Sequence, residues 1–389
     1  MSDIRVMLMP ILLVLLSPLG IDLLLPAIND MSTTFNVSPA TAQWSISSFV
    51  LALGLMQLPL GSFSDRFGRR PLILFGLGLF TIASIYAYFT TSFTAFVIVR
   101  FLQGLGASAC VVAAFTIAKD SFEEETVPSK FSYLHGILNL APAIAPMIGA
   151  AIIIYWGWRS IFIVFAVSAI ILAIFAFMFF KETADLSQSQ SVGAANFFKN
   201  VKTIVKTPQS WPAAIICITV LSYIITYLTI SPVILIQQAG LSISVFSQVF
   251  SLNAALIMVA ALMVPRINQW LSVSTTIIIG LLFIIISSIA LFFIGLENID
   301  SAWKFMLPIG LGSIGFAISF GNAQGVAVNP FGGLAGMAIG VLGTIQMAIA
   351  SIVATILVVL DSGSTLYYGG SFTLIMSAAL LYWLKRSKA

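Results

Sequence analysis

Two ionisable residues of this 389-residue chain, Asp22 and Arg100, lie inside long apolar runs. A charged side chain at the centre of a bilayer costs roughly 2.5–3.5 kcal/mol on insertion scales, so each marks a functional position by default. Pro18, Asp22 and Pro26 are four residues apart and share one helix face. Pro26 has no N–H, which leaves the Asp22 carbonyl without its helical donor, and a carboxylate beside a freed carbonyl suits a cation or a proton. Arg100, Gln103, Gly104 and Ala107 form one face of another run, and Gly104 allows a neighbouring helix to come close. Asp22 and Arg100 are expected at similar depth, facing each other across a helix contact directly, through Gln103 or through water. Burial and the guanidinium would then pull the carboxyl in opposite senses, as a switchable proton carrier requires. The plainer alternative has Asp22 reaching to the outer interface and Arg100 tying down backbone carbonyls.

A second constellation is the loop Gly61-Ser-Phe-Ser-Asp65-Arg66-Phe-Gly68-Arg69-Arg70-Pro71. Gly68 permits a tight turn, and Pro71 suits the first turn of the following helix. Asp65 can pair with an arginine or sit at a helix N-terminus. A positively charged hairpin alone would account for the arginines but not for the order of Gly, Asp and Gly.

The elements that must position these residues follow from composition. Apolar types make up 60 % of the chain and charged types 8 %, against about 45–50 % and 25 % in soluble domains. A soluble enzyme, a nucleic-acid binder and a disordered protein are excluded. The pattern predicts twelve membrane-spanning helices near 5–28, 41–61, 71–90, 94–118, 130–154, 159–180, 211–236, 243–265, 273–295, 302–326, 331–359 and 367–384. The runs do not alternate with the period of strands. The first run is too long for a signal peptide and has no small-residue cleavage site, so it reads as the first span. Cys110 and Cys217 lie in apolar runs and show neither disulfide nor metal-ligand spacing.

Lys and Arg set the orientation. With both termini in the cytoplasm, that side holds Arg5, Arg66, Arg69, Arg70, Lys119, Lys130, Lys181, Lys199, Lys202, Lys206, Arg266, Lys385, Arg386 and Lys388, while the other side holds Arg159 and Lys304. The polar stretch 181–210 divides the chain into a six-helix bundle (1–180) and a second one (211–389). The fold class is therefore an all-α membrane protein, with two pseudo-symmetric bundles around a central cavity.

Weaker signals fill in a cavity. Gln103, Asn139, Tyr223, Tyr227, Asn253 and Gln346, with Asp22, are candidates for contacting a substrate among apolar walls. Each amide could equally bond a neighbouring helix. Pro142 and Pro146 bend the fifth span and suit a moving gate. His135 on the same stripe reads as a helix-end residue rather than a proton relay. Phe316 and Phe320 share a face, Glu123–Glu125 read as a solvated surface, and Gly336, Gly340 and Gly343 recur at helical spacing, as in close packing or a hinge. No metal-ligand cluster and no nucleophile–base pair appears in the spans, which argues against an enzyme and against any cofactor.

Gly61–Ile73 resembles the signature loop of the major facilitator superfamily, G-x-L-a-D-r-x-G-r-k-x-x-l, with Phe63 and Ser64 in place of Leu and Ala. Arg100-Phe-Leu-Gln103-Gly104-Leu-Gly106-Ala107 is similar to its fourth-helix motif, R-x-x-Q-G-x-G-a. A narrower likeness is to the bicyclomycin/chloramphenicol-resistance branch of drug:proton antiporters. It rests on Asp22-Leu-Leu-Leu-Pro26-Ala27, Gln43-Trp44, Leu140–Gly149, Gly157-Trp158-Arg159, Ser231-Pro232 and Gly343-x-x-Gln346. The resemblance implies proton coupling at Asp22 supported by Arg100, and a gate latched by Asp65 and Arg69 with Gly61, Arg66, Gly68 and Arg70. It also implies a bacterial inner-membrane location, protons as the coupling ion, and a monomer that exports small amphiphilic compounds. Alternatives are a dedicated exporter of a metabolite such as a siderophore or an amino acid, a proton-coupled importer, and a non-transporting receptor. Ala141, Ala145 and Ala150 depart from the glycines usual in the antiporter fifth-helix motif. No second acid lies near Val14, which favours neutral or zwitterionic cargo over cations.

Overall fold

The computed structural model describes residues 3–183, 194–296, 301–360 and 365–386; Lys388 and residues 184–193 of the expected linker lie outside them. The described residues form helices and connecting turns, with no strand. In chain order these are α1 (Asp3–Asp22), α2 (Ile28–Phe35), the short α3 (Pro39–Ala42), α4 (Trp44–Phe67), α5 (Arg69–Phe89), α6 (Phe93–Ser121), α7 (Val127–Leu138), α8 (Leu140–Trp156), α9 (Ser160–Phe179), α10 (Ala194–Lys206), α11 (Trp211–Pro232), α12 (Ile243–Trp270), α13 (Val273–Ile294), α14 (Ala302–Val328), α15 (Ala335–Leu360) and α16 (Thr365–Arg386). Among the described residues eleven helical segments are long and apolar enough to cross a membrane. They coincide with the first eleven expected spans. The twelfth is the 22-residue α16, whose first turns carry Thr365, two tyrosines, two glycines and Ser371, and so are less apolar.

Two spans are broken where proline removes a backbone donor. The first is interrupted after Asp22 and continues through a 3₁₀ turn, Leu25–Ala27, into α2. The fifth is interrupted at Asn139, three residues before Pro142, and so consists of α7 and α8.

Packing divides the chain into two compact units: Met1–Phe122 with Leu140–Lys206 and Phe331–Thr344, and Glu123–Asn139 with Thr207–Pro330 and Ile345–Ala389. These boundaries differ from the bundle limits expected at 180 and 211, because the fifth and eleventh spans are each split. In the first unit, α6 is the central helix, packed on α1, α4 and α5. A Cβ at Gly76 of α5 would lie 2.8 Å from the Gly106 carbonyl oxygen of α6, so both glycines serve a close crossing. In the second unit, α14 packs on α13, α11, α12 and α7. A Cβ at Gly315 of α14 would lie 2.5 Å from the Gly280 carbonyl oxygen of α13. Gly280 and Gly315 occupy the same places in α13 and α14 that Gly76 and Gly106 occupy in α5 and α6.

Candidate functional site: an intramembrane arginine and two helix anchors

In the first unit, Arg100 is fully buried. Its Nη2 donates to the Gly20 carbonyl of α1 (2.7 Å), its Nε to the Ser45 carbonyl of α4 (3.1 Å), and its Nη1 to Gln103 Oε1 one turn on. Gln103 passes the chain on, donating from Nε2 to Ser84 Oγ of α5 (2.7 Å). The guanidinium faces the Phe49 ring at 4.5 Å, a desolvated cation–π contact. The break in the first span supplies one acceptor. The Leu24 N–H bonds the Ile21 carbonyl instead of Gly20, and the Gly20 oxygen is left for Arg100. Gly104 is as tightly placed as its sequence context implied: a Cβ there would collide with the Phe49 carbonyl.

Asp22 lies at the break, 9 % exposed. Its carboxylate makes neither a hydrogen bond nor an ion pair among the described residues. The expected direct meeting with Arg100, or one through Gln103, is therefore corrected: the arginine holds the backbone two residues away. The five donors of a planar guanidinium can hold carbonyls of two neighbouring helices at once, one of them freed by the break, and so do not need the carboxylate. Gln103 is fully buried by this network and bonded at both ends of its amide, which corrects its expected place on a substrate surface. The break is wedged by the fifth span, where a Cβ at Gly149 of α8 would strike the Leu23 carbonyl.

The signature loop forms a charged anchor in the same unit. Asp65, near the end of α4, accepts from the Gly336 N–H (2.9 Å) and the Met337 N–H (2.7 Å), and so caps the N-terminus of α15. Of the two roles open to it, it takes both, because Arg69 of α5 also pairs with it at 2.8 Å. Arg69 binds Asp120 of α6 as well, with Nε–Oδ2 2.8 Å and Nη2–Oδ1 3.3 Å. Glu182 caps α5 in turn, accepting from the Arg69 N–H (2.9 Å) and the Arg70 N–H (3.0 Å). Arg70 also donates to the Phe177 carbonyl, and Arg66 lies over the Phe67 ring at 4.8 Å. Both glycines of the motif are dictated by space. A Cβ at Gly61 would collide with the Gly336 carbonyl, and Gly68 has φ +96° with Glu182 Oε2 2.5 Å from where its Cβ would stand. Gly340 and Gly343 continue the seam, pressed on Gln57 of α4.

The second unit contains a neutral anchor. Asn268, near the end of α12, donates from Nδ2 to Ser129 Oγ of α7 (2.7 Å) and to Asn322 Oδ1 of α14 (2.9 Å), and accepts from Thr276 Oγ1 of α13 (2.9 Å). His135 Nε2 meets Gln324 Oε1 of α14 at 2.6 Å, and its ring packs edge-on against Phe320 with ring centroids 4.8 Å apart. His135 is thus in the last turn of α7, as expected, but bonded to another helix. Cβ atoms at Gly321 and Gly325 would collide with Ser132 and lie 2.5 Å from Pro128 Cα, respectively.

The remaining candidates separate. Tyr223 is fully buried, its hydroxyl on Ser287 Oγ (2.7 Å) and its carbonyl on the Tyr368 hydroxyl (3.0 Å), so it is a packing residue. Asn139 is half-buried, donates from Nδ2 to the His135 carbonyl (2.8 Å) and caps α7. Tyr227, Asn253 and Gln346 are buried and keep unused hydrogen-bonding capacity at Tyr227 Oη, Asn253 Oδ1 and Gln346 Nε2. Tyr227 stacks on Phe250, with centroids 6.1 Å apart. Pro142 and Pro146 lie at the start and in the body of α8.

Sequence reasoning missed Asp120, Glu182, Ser84, Asn268 and Gln324. The only usable signal was charge balance: an arginine-rich loop between buried helix ends requires carboxylates at neighbouring span ends.

The family model of the Major Facilitator Superfamily matches residues 11–355, so the chain belongs to this superfamily of membrane transporters and is a multi-pass membrane protein rather than an enzyme. It is 29 % identical over 348 residues to the multidrug resistance protein MdtL of Shewanella sp. (strain ANA-3), covering 87 % of this chain and 85 % of that protein. It is 28 % identical over 347 residues to MdtL of Escherichia coli (strain K12 / DH10B), with the same coverage. Its fold is similar to that of the human organic anion transporter MFSD10 (TETRAN), with TM-score 0.79, 15 % identity and coverage of 98 % and 100 % of the two chains. It is also similar to the proton:xylose symporter XylE, with TM-score 0.76, 14 % identity and coverage of 98 % and 95 %.

Proposed function

We propose that this transporter is a bacterial inner-membrane antiporter that exports small amphiphilic compounds in exchange for protons by alternating access. Its six-helix halves would be 1–180 and 211–389, with both termini cytoplasmic. The observation that carries the reading is Asp22: a buried carboxyl at a helix break, with no fixed counter-charge among the described residues. A group so placed can gain and lose a proton without dismantling an ion pair. Arg100 holds the broken backbone beside it through Gly20 and acts as a positioning residue. One proton moving down the membrane potential supplies about 2.3 kcal/mol per 100 mV, enough to drive export of an uncharged solute. The MdtL relatives, named as multidrug resistance proteins, support a drug-like cargo.

Tyr227, Asn253 and Gln346 are the polar contacts we assign to the cargo. They offer hydrogen bonds and no charge, which favours neutral or zwitterionic compounds. Asp65, Arg69 and Arg70, with Gly61, Arg66 and Gly68, form the cytoplasmic latch, and the Asn139–Pro146 break is the moving part of the fifth span. The protein works as a monomer without a cofactor. The test is transport in proteoliposomes, with cargo chosen from a drug and metabolite panel in a host lacking its own exporters. Asp22→Asn is expected to abolish uphill, pH-driven transport and substrate-induced proton release while leaving downhill exchange. Uphill transport retained in that variant would remove the coupling assignment.

A further inference from the structure

The helix α10, between the two halves, carries a chemistry that transport does not use. Residues 194–206 contain three lysines and no acid. Lys199, Lys202 and Lys206 are spaced three and four apart and are all exposed, with Thr203 among them, so they fill one arc of the helix. The opposite arc is buried: Asn200 and Ile204 have almost no exposure. At the edge of the lysine arc, one turn before Lys202, the Phe198 ring is 71 % exposed.

The helix is held at membrane level by its C-terminal connection. Lys206 is followed by a single turn, Thr207–Ser210, closed by Ser210 Oγ on the Thr207 carbonyl (3.0 Å), and the apolar span begins at Trp211. A lysine one turn from a span cannot leave the headgroup layer. Three ammonium groups on one arc with a phenyl ring at its border match an anionic surface over an apolar one. The ammonium groups reach phosphate oxygens, while the ring enters the acyl boundary. A helix exposed only to water would gain nothing from an uncovered phenylalanine at that border.

We propose that this face of α10 docks on anionic phospholipid headgroups of the adjoining leaflet, so that lipid charge fixes the helix in the headgroup layer. The interaction is independent of cargo and of proton coupling.

The test is amide hydrogen exchange across residues 194–206 in the full-length protein, held in nanodiscs of phosphatidylcholine alone or of phosphatidylcholine and phosphatidylglycerol in equal parts. Exchange is expected to be at least about tenfold slower in the anionic discs. Raised salt should erase the difference, because the charges are exposed. The triple variant Lys199→Gln, Lys202→Gln, Lys206→Gln should lose it. The corresponding triple arginine variant, which keeps the charge, should retain it and shows that the helix itself is intact. Equal exchange in the two disc types overturns the proposal. So does a glutamine variant that responds to phosphatidylglycerol as strongly as the native chain.

Discussion

The charged anchor of the first unit and the neutral anchor of the second have the same wiring and different chemistry. Asp65 and Asn268 each stand third from the end of their helices, α4 and α12. Each reaches the first turns of a split span, α15 for Asp65 and α7 for Asn268. Each is tied to the next helix, by Arg69 or by Thr276, and the network then continues to a residue on the helix after that, Asp120 or Asn322. The first set uses formal charges where the second uses amides and hydroxyls. The helix being held explains part of the difference. The start of α15 offers two free N–H groups and a positive dipole end, which a carboxylate satisfies best. The start of α7 carries Pro128, has one donor fewer, and presents the Ser129 hydroxyl instead. Pseudo-symmetry thus preserves which helices touch and leaves the strength of the contact free to differ.

That difference can be broken experimentally, and the largest effect is expected at Asp65. Hydrogen bonds to a charged group contribute about 1.5–3 kcal/mol each. Asp65→Ala removes two to α15 and strips Arg69 of one partner. A cysteine at the buried Ser62 should then react with a polar thiol reagent roughly a hundredfold faster, read against the fully buried Cys110 and Cys217. An unchanged rate would mean that the carboxylate does not hold α15 in place.

Steric tests should not distinguish the anchors. Gly61→Ala and Gly321→Ala each drive a Cβ into facing backbone, at Gly336 and Ser132. Both should lower transport by about tenfold, a figure set by overpacking costs of 1–3 kcal/mol. A large inequality between them would show that one seam opens in the cycle and the other does not. The smallest effect is expected from Asn268→Ala, which removes neutral bonds of about 1 kcal/mol net each. Transport should fall by a few-fold. A loss as large as that of Asp65→Ala would erase the contrast between the two anchors.

The fold was legible because spans are announced locally. A stretch of apolar residues between charges is visible without knowing its neighbours, and eleven expected spans coincide with apolar helices. Asp65 was legible as a charge destined for an arginine or a helix end, and Gly68 as a tight turn, whereas the close contact at Gly61 was not. Gln103 and Tyr223 were misread for a shared reason. A polar side chain in an apolar helix must find a partner, but its sequence gives no sign whether that partner is cargo or the next helix. The neutral anchor was missed because an isolated Asn or Gln has no charge to betray its role.

By itself, then, the amino-acid order determined that this is a helical membrane protein. It also placed two prolines where the first and fifth spans break, and an acid and an arginine inside hydrocarbon. Only the tertiary structure decided that Arg100 holds the Gly20 and Ser45 carbonyls instead of Asp22, and that the fifth and eleventh spans each contribute one piece to either packing unit. Hydropathy and missing N–H groups are properties of a short stretch of chain. The choice among acceptors for a buried guanidinium depends on which helices are brought within about 3 Å of it, and distant parts of the chain settle that together.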